Sequence, residues 1–408
     1  MPNSDSVFHP NTQDELAQFV VTNAASERRP LIPIGGGTTS RKGSAENAVE
    51  IHLDQLNRVI DFPARDMTIT VEAGIRMADL AKILRAENQR LPIDIPQADQ
   101  ATLGGVIASN WSGPRRYGCG TMRDYVIGIS AIDASGQQFK AGGRVVKNVA
   151  GYDLCKLLVG SHGTLAIITQ VTLKLRPLPE SSGFVCLGFD TAREIEPVID
   201  QLQRSATRPI VIDVWNQNFI EGRTIQRTLS PMLYVGYEGS ERETLWQIQT
   251  LLAECKQFAP RIQETILDSS VKPFLFALTN LSGFSLTKLS GQFANRFKTC
   301  LPSSRTMEIL QHADPYSGFI VGSHAGNGIV FGHHAGDYRA EEAEALYRPL
   351  RELVRSHGGT LIFSDVPSDW KFAETTWANL GPAATWMQRV KQQLDPLNLL
   401  KPGCLPVS

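Results

Sequence analysis

The chain has almost no net charge: 40 basic residues stand against 41 acidic ones over 408 positions. No basic stripe is visible in that balance, which argues against a nucleic-acid binder. Nowhere does an apolar run approach the ~18 residues that a membrane-spanning helix needs. The six cysteines (Cys119, Cys155, Cys186, Cys255, Cys300 and Cys404) are scattered and form no C-x-x-C pair. This argues against an iron–sulfur cluster or a zinc site held by this chain alone, and against a disulfide framework; buried apolar cysteines are the expectation. Two phosphate motifs are also missing. Without G-x-x-x-x-G-K-[ST] a P-loop nucleotide hydrolase is disfavoured, and without G-x-G-x-x-G after the first strand so is an ordinary dinucleotide-binding Rossmann unit. The opening "MPNSDSVFHPNTQDELAQFV" has neither a basic n-region nor an apolar h-region, so the expected location is cytoplasmic.

What is present reads as a folded chain. Hydrophobic residues make up 42% and charged residues 20%, enough for packed cores, and the length points to two domains. "NTQDELAQFVVTNAA" predicts a helix, with Thr12 and Glu15 at capping-box spacing and Leu16, Phe19 and Val20 on one face. The strand "PLIPI" then runs into Gly35-Gly36-Gly37-Thr38-Thr39-Ser40, and further strands are expected at "AVEIHL", "RVIDF" and "MTITVEA" before the helix "MADLAKILRAEN". "VIGISAID" and "QQFKAGG" around Ser135-Gly136 predict a hairpin, and "LAIITQVTLKLRPLP" a strong strand ended by prolines. After about Glu180 the pattern changes to repeated strand–helix units, the sign of an antiparallel sheet with helices on one face.

Two glycine-rich stretches carry the chemistry. Three glycines and two threonines directly after a strand offer backbone N–H groups with no side chains in the way. Such groups can converge on an anion, and a diphosphate suits them; a plain tight turn is the alternative. In "ATLGGVIASNWSG", Thr102, Gly104, Gly105, Ala108, Ser109, Asn110 and Gly113 are small or hydrogen-bonding residues. They would let a flat ring lie against backbone, or let a helix pack closely on a sheet.

The ordered segments "PLIPIGGGTTS", "MTITVEAGIRMADL", "ATLGGVIASNWSGPRRYGCGTMRDYVIGI" and "VKNVAGYDLCKLLVGSHGTLAIITQVTLKLRP" resemble the FAD-binding domain of the vanillyl-alcohol oxidase (PCMH-type) flavoproteins. Within that family they most resemble the FAD-binding E-type subunits of glycolate oxidase, and the tail "VKQQLDPLNLLKPG" is similar to the family's closing segment. The resemblance implies an α+β fold: a PCMH-type FAD-binding domain at 1–178, an α/β cap with an antiparallel sheet at 179–380, and a C-terminal segment, 381–408, returning to the FAD domain. It implies that Pro33, Gly35, Gly36, Gly37, Thr38 and Thr39 hold the diphosphate side of FAD. Thr102, Gly104, Gly105, Ser109, Asn110 and Gly113 would wrap the ribityl chain and flavin, and Gly163, Ala166 and Ile168 the adenine and ribityl side. Arg123 and Asp124 are expected to form a structural ion pair. "GGGTTSR" has no histidine for a covalent link and Cys119 stands at the wrong spacing, so non-covalent FAD is expected.

Related catalytic subunits carry a "GDGNxH"-like stretch and a downstream Glu-His pair. Here the corresponding stretch is "SHAGNGIVFGHH", with Ile329 and Val330 where the second histidine would stand. His324, His333 and His334 remain candidates for a base or ligand, or are hydrogen-bonded structural residues. Lys147 and Tyr152, in "VKNVAGYDL", are further candidates, and Asp153 is expected to cap the helix that follows. No metal set is visible. The resemblance thus implies a flavin subunit working beside a related catalytic flavoprotein and an iron–sulfur subunit, oxidising glycolate or D-lactate with electrons passed to a quinone-linked acceptor. Any membrane contact would come through those partners. A stand-alone 2-hydroxyacid dehydrogenase and a scaffold with a degenerate flavin site stay open as alternatives.

Overall fold

The first helix, Gln13–Ala25, begins where its side chains close the open N–H groups. Thr12 Oγ1 accepts from Glu15 N at 3.1 Å, while the Glu15 carboxylate reaches Asn11 N at 2.8 Å, one residue before the capping-box position. Leu16 and Val20 turn inward, and Phe19 stacks on Phe8 at 4.2 Å. The computed structural model describes residues 6–38, 45, 47–143, 153–216, 230–282, 295–313, 319–334, 338–364, 370 and 382–404. The chain divides into two units: Met1–Ser112, Gly120–Leu178 and Leu380–Ser408 form the first, Gly113–Cys119 and Pro179–Asn379 the second.

In the first unit, β1 (Val7–Phe8), β2 (Leu31–Ile34) and β3 (Val49–His52) pair in parallel in the order β1-β3-β2. Alternation along β3 buries Val49 and Ile51 in the core and leaves Glu50 and His52 on the other face. A second sheet is antiparallel. It takes β4 (Val59–Asp61), β5 (Thr68–Glu72), β7 (Val126–Ile132), β8 (Gln138–Gly142) and β9 (Ile167–Lys174) in the order β4-β5-β9-β7-β8, while β6 (Gln89–Arg90) pairs with β10 (Arg176–Pro177). The expected hairpin is β7–β8, with Gly136 at φ +87° in its turn.

The helix Pro382–Leu394 and the residues after it complete this first unit. Leu31 N donates to Leu399 O at 2.7 Å and Lys401 N to Leu31 O at 2.8 Å, so the tail runs beside β2 with Leu400 in the core. A buried ion pair anchors the run. Lys391 Nζ donates to Asp395, to Thr164 O at 2.9 Å and to Leu400 O at 2.7 Å. Asp395 in turn accepts from Leu399 N at 2.9 Å and Leu400 N at 2.7 Å.

The second unit holds one sheet of eight strands, all its pairs antiparallel: β11 (Ser181–Gly188), β12 (Val211–Trp215), β13 (Met232–Gly239), β14 (Ile262–Leu267), β15 (Asn295–Cys300), β16 (Phe319–His324), β17 (Ile329–His334) and β18 (Thr360–Ser364). Their order, β14-β11-β13-β12-β16-β17-β15-β18, resolves into two copies of one pattern. Each half runs strand, helix, strand, strand, helix, strand, and the halves join where β12 pairs with β16. The helices Glu196–Arg204, Glu241–Cys255, Thr306–Ala313 and Ala340–Ser356 supply side chains to one core on one face. Helices are not confined to that face as expected: Val271–Ser282 packs Val271, Phe274 and Leu278 against Phe184, Trp215 and Tyr234 on the other.

Removing one partner of a buried ion pair leaves an uncompensated charge. Asp395→Ala is therefore expected to lower the stability of the first unit by about 3–5 kcal/mol, read as an earlier transition in thermal or urea unfolding.

Candidate functional site

Directly after β2 the chain enters the run Gly35-Gly36-Gly37, packed against residues 100–105 at backbone distance. A Cβ on Gly36 would lie 1.8 Å from Gln100 O, and one on Gly35 2.2 Å from Thr102 Oγ1. Gly37 has φ +66° and nothing within 4 Å of where its Cβ would stand. Among the described residues, no carbonyl accepts from the N–H of Gly35, Gly36, Gly37 or Thr38. Four successive donors without an acceptor are what a bound anion requires.

The second stretch works differently. Thr102 caps the helix Leu103–Ser109 through Gly105 N, at 3.4 Å. Leu103 N donates to Ile75 O at 2.9 Å and Gly104 N to Ala73 O at 2.7 Å, so the first turn has already spent its N–H groups inside the protein. What this helix presents is a smooth surface of Gly104, Gly105, Ala108 and Ser109. The loop 160–164 is tied to the helix's end: Gly160 N donates to Ile107 O at 3.0 Å and His162 N to Ala108 O at 2.8 Å.

These segments enclose a cavity of about 360 Å³. It is lined by Pro33, Ile34, Gly35–Thr38, Glu50, His52, Leu53, Thr102, Gly104, Gly105, Ala108, Ser109, His162, Gly163, Ala166, Ile168 and Lys401. A second space of about 770 Å³ shares Ile34–Gly37, His52 and Thr102 and extends over Gly74–Arg76 and Gln100. Nearly the whole set of cofactor positions read from the sequence meets in the first cavity. Asn110 and Gly113 do not line it. Asn110 ends the helix at φ 49°, its buried Oδ1 without a partner among the described residues, and Gly113 belongs to the second unit. Thr39 lies outside the described residues.

Glu50, His52, His162 and Lys401 were not singled out in the sequence. Glu50 and His52 pair with each other at 3.1 Å on the polar face of β3. His52 also stacks on His9 at 4.8 Å, and His9 meets Asp54 at 2.9 Å.

The remaining candidates separate. Asp124 caps its own helix instead of pairing with Arg123: its carboxylate accepts from Thr121 N at 2.8 Å and Thr121 Oγ1 at 3.0 Å, the usual role of an acid at that position. Lys147 and Tyr152 lie outside the described residues, while Asp153 accepts from Lys156 N at 3.2 Å as a cap. His324 is 1% exposed at the end of β16, and its Nδ1 lies 2.8 Å from Asp213 Oδ1 on β12. Nε2 of His324 meets no partner among the described residues. Phe331 meets the His324 ring edge-on at 5.0 Å, and Lys298 lies 5.8 Å from the Phe331 centroid. Burial pushes the Lys298 ammonium below the ordinary lysine value despite some remaining solvent access, and the charge of Arg116 adds to the effect. All these groups belong to the second unit; Asp213, Lys298, His324 and Phe331 project from the sheet face opposite its four-helix core, and Arg116 opens the short helix Arg116–Cys119. His333, buried on β17 beside Arg296 of β15, shares that face. His334 closes β17, and its side chain is not described.

The cysteines are mostly inert. Cys119, Cys155, Cys186, Cys255 and Cys404 are buried, as expected of most of them, with the Cys255 thiol pushed up to about 12 by burial; Cys300 is exposed. Among the described residues no group of three or more His, Cys, Asp or Glu side chains could hold a metal, and no helix is long and apolar enough to cross a membrane.

Residues 4–142 match the family described as FAD binding domain. The glycolate oxidase subunit GlcD of Bacillus subtilis is 24% identical over 98% of this chain and 88% of its own length. The mitochondrial cytochrome-type D-lactate dehydrogenase of Arabidopsis thaliana is 26% identical over 98% of this chain and 73% of its own. The glycolate oxidase subunit GlcE of Escherichia coli is 32% identical, over 40% of this chain and 47% of its own. A solved alkyldihydroxyacetonephosphate synthase shares the fold, with a TM-score of 0.69 over 97% of this chain and 76% of that one at 15% identity. The chain thus has the PCMH-type α+β fold and FAD as its cofactor, and is an FAD-dependent oxidoreductase related to glycolate oxidase and the D-lactate dehydrogenases.

The packing separates two kinds of glycine. Gly36→Ala drives a methyl into Gln100 O and should destabilise the fold by about 1–3 kcal/mol or more whether or not flavin is present. Gly37→Asp should leave the protein folded but strip it of flavin, read as visible flavin absorbance per protein after purification.

Proposed function

We propose that this chain oxidises a small 2-hydroxy acid of the glycolate or D-lactate class to its 2-keto acid, as the FAD-carrying subunit of an oxidase complex. The observation that carries the reading is the row of N–H groups from Gly35 to Thr38, without acceptors, in a cavity whose opposite wall is made of small residues. Gly35–Thr38 would hold the diphosphate, Gly104, Gly105 and Ser109 would support the ribityl chain and ring, and Gly163, Ala166 and Ile168 would face the adenosine side. The cofactor would be held without a covalent bond: the first loop has no histidine, and Cys119 stands at the wrong spacing for a link.

FAD, when bound in the glycine cavity, would supply a hydride acceptor for such an oxidation. Within the second unit, one polar cluster holds groups suited to a carboxylate and to a departing proton. Lys298 meets the carboxylate as a charge-assisted donor, with Arg116 adding positive potential. Nδ1 of His324 is engaged by Asp213, which leaves Nε2 as the ring nitrogen to receive the hydroxyl proton. Onward electron transfer is assigned to partners, a related catalytic flavoprotein and an iron–sulfur subunit, because the sequence has no C-x-x-C pair and two relatives are named as glycolate oxidase subunits. A second reading, a stand-alone dehydrogenase, is favoured by the Lys298 and His324–Asp213 groups within this one chain and by D-lactate dehydrogenase relatives that align over nearly all of it.

Anaerobic mixing of the FAD-loaded chain with glycolate or D-lactate decides between them. Flavin bleaching only after partner subunits are added supports the complex, bleaching by the chain alone supports the dehydrogenase, and no bleaching in either case contradicts both. In whichever form turns over, Lys298→Met should raise the half-saturating substrate concentration about tenfold or more. Carboxylate affinity should be present at low pH and fall as pH rises through the depressed lysine pKa, and the variant should lose that dependence.

A further inference from the structure

The glycine cavity has a charged wall that the backbone donors do not explain. Of its lining residues only Glu50, His52, His162 and Lys401 are ionisable, and Glu50 is engaged by His52 at 3.1 Å. Lys401 is the one lysine or arginine among those lining residues. The chain invests heavily in placing it. Lys401 adopts φ +47°, a left-handed conformation that a lysine rarely takes and that costs of order the energy of a hydrogen bond. Its N–H is fixed to Leu31 O at 2.8 Å, one turn of chain beyond the buried Lys391–Asp395 pair, and the preceding Leu400 is wholly buried. Leu31 itself opens β2, the strand that delivers the glycine loop. The tail and the loop are therefore two ends of one hydrogen-bonded assembly.

We infer that Lys401 is a cofactor-binding residue, carried to the diphosphate of FAD by the C-terminal segment, so that the closing residues of the chain act as a latch on the cofactor. This rests on the proposed placement of FAD in the cavity and adds a group and a chain segment to it. A diphosphate held by backbone dipoles alone lacks a countercharge, and a lysine carried on a fixed stretch of backbone would provide one. The latch also gives the buried Lys391–Asp395 pair a function beyond stability, because it holds the backbone that presents Lys401.

The test uses the full chain, stripped of flavin and retitrated with FAD, followed by flavin fluorescence, with ADP as a competitor that carries the diphosphate but no ring. Lys401→Met should raise the Kd for FAD about tenfold or more and weaken ADP competition in parallel. Lys401→Gln should show the same loss, Lys401→Arg should recover most of the affinity, and the salt dependence of binding should flatten in the two uncharged variants. An FAD Kd within twofold of wild type in folded Lys401→Met or Lys401→Gln protein overturns the inference. Should Gly37→Asp weaken FAD binding while both uncharged variants leave it unchanged, only the role of Lys401 fails. If Gly37→Asp and the lysine variants all leave it unchanged, the placement of FAD in this cavity fails with it.

Discussion

The contact between Gly36 and the carbonyl of Gln100 sets the terms for the rest of the first unit. At that separation no side chain fits on the loop, so its backbone can approach the Thr102–Gly105 stretch closely and turn four N–H groups away from the protein. A row of convergent N–H groups that no carbonyl of the loop's surroundings satisfies is a place where an anion can be held. The packing that excludes side chains therefore also meets one need of the cofactor, a seat for an anion. The small residues of the helix Leu103–Ser109 meet the other need, a wall on which a flat ring can lie, and Gly163, Ala166 and Ile168 extend it.

The second unit reaches its chemistry by repetition. Two copies of a strand–helix–strand–strand–helix–strand pattern meet along β12 and β16, and at that seam Asp213 stands opposite His324. Four helices cover one face of both halves, and the other face carries a smaller apolar core around Phe184, Trp215 and Tyr234 together with several polar positions. Lys298, Arg296, His324 and His333 occupy such positions, each buried or half-buried on the face without that helical layer. A lysine whose ammonium is pushed down by burial, near a histidine oriented by a carboxylate, is an arrangement suited to an anionic substrate that must lose a proton.

Much of this was legible in the chain itself. Helix starts such as Thr12 and Asp153, the hairpin at Gly136 and the glycine-rich segments all rest on local rules of capping, turn geometry and steric bulk, and these rules act over a few residues. The readings that changed did so for one local reason and several distant ones. Asp124 reads as a partner for the adjacent Arg123, but a carboxylate three residues past Thr121 is drawn to the helix start. Gly113 reads as part of the cofactor loop because it follows Asn110 closely, yet the chain has by then passed into the other unit. Glu50 and His52 look like ordinary polar positions of a half-buried strand, and nothing in the sequence near Gly35 announces that Lys401 will share its cavity. Asp213 and Lys298 lie on separate strands that only the eight-stranded sheet brings to the face that carries His324. The duplication was hidden for a related reason: the two halves share an order of elements and little visible residue pattern.

Amide hydrogen exchange on FAD addition tests the central claim most directly, because it reads the backbone groups on which the account depends. Cofactor should slow exchange at Gly35, Gly36, Gly37 and Thr38, with a second protected stretch spanning the loop at residues 160–164. Protection confined to other parts of the chain, with the glycine loop exchanging as fast as in the flavin-free protein, would contradict the account.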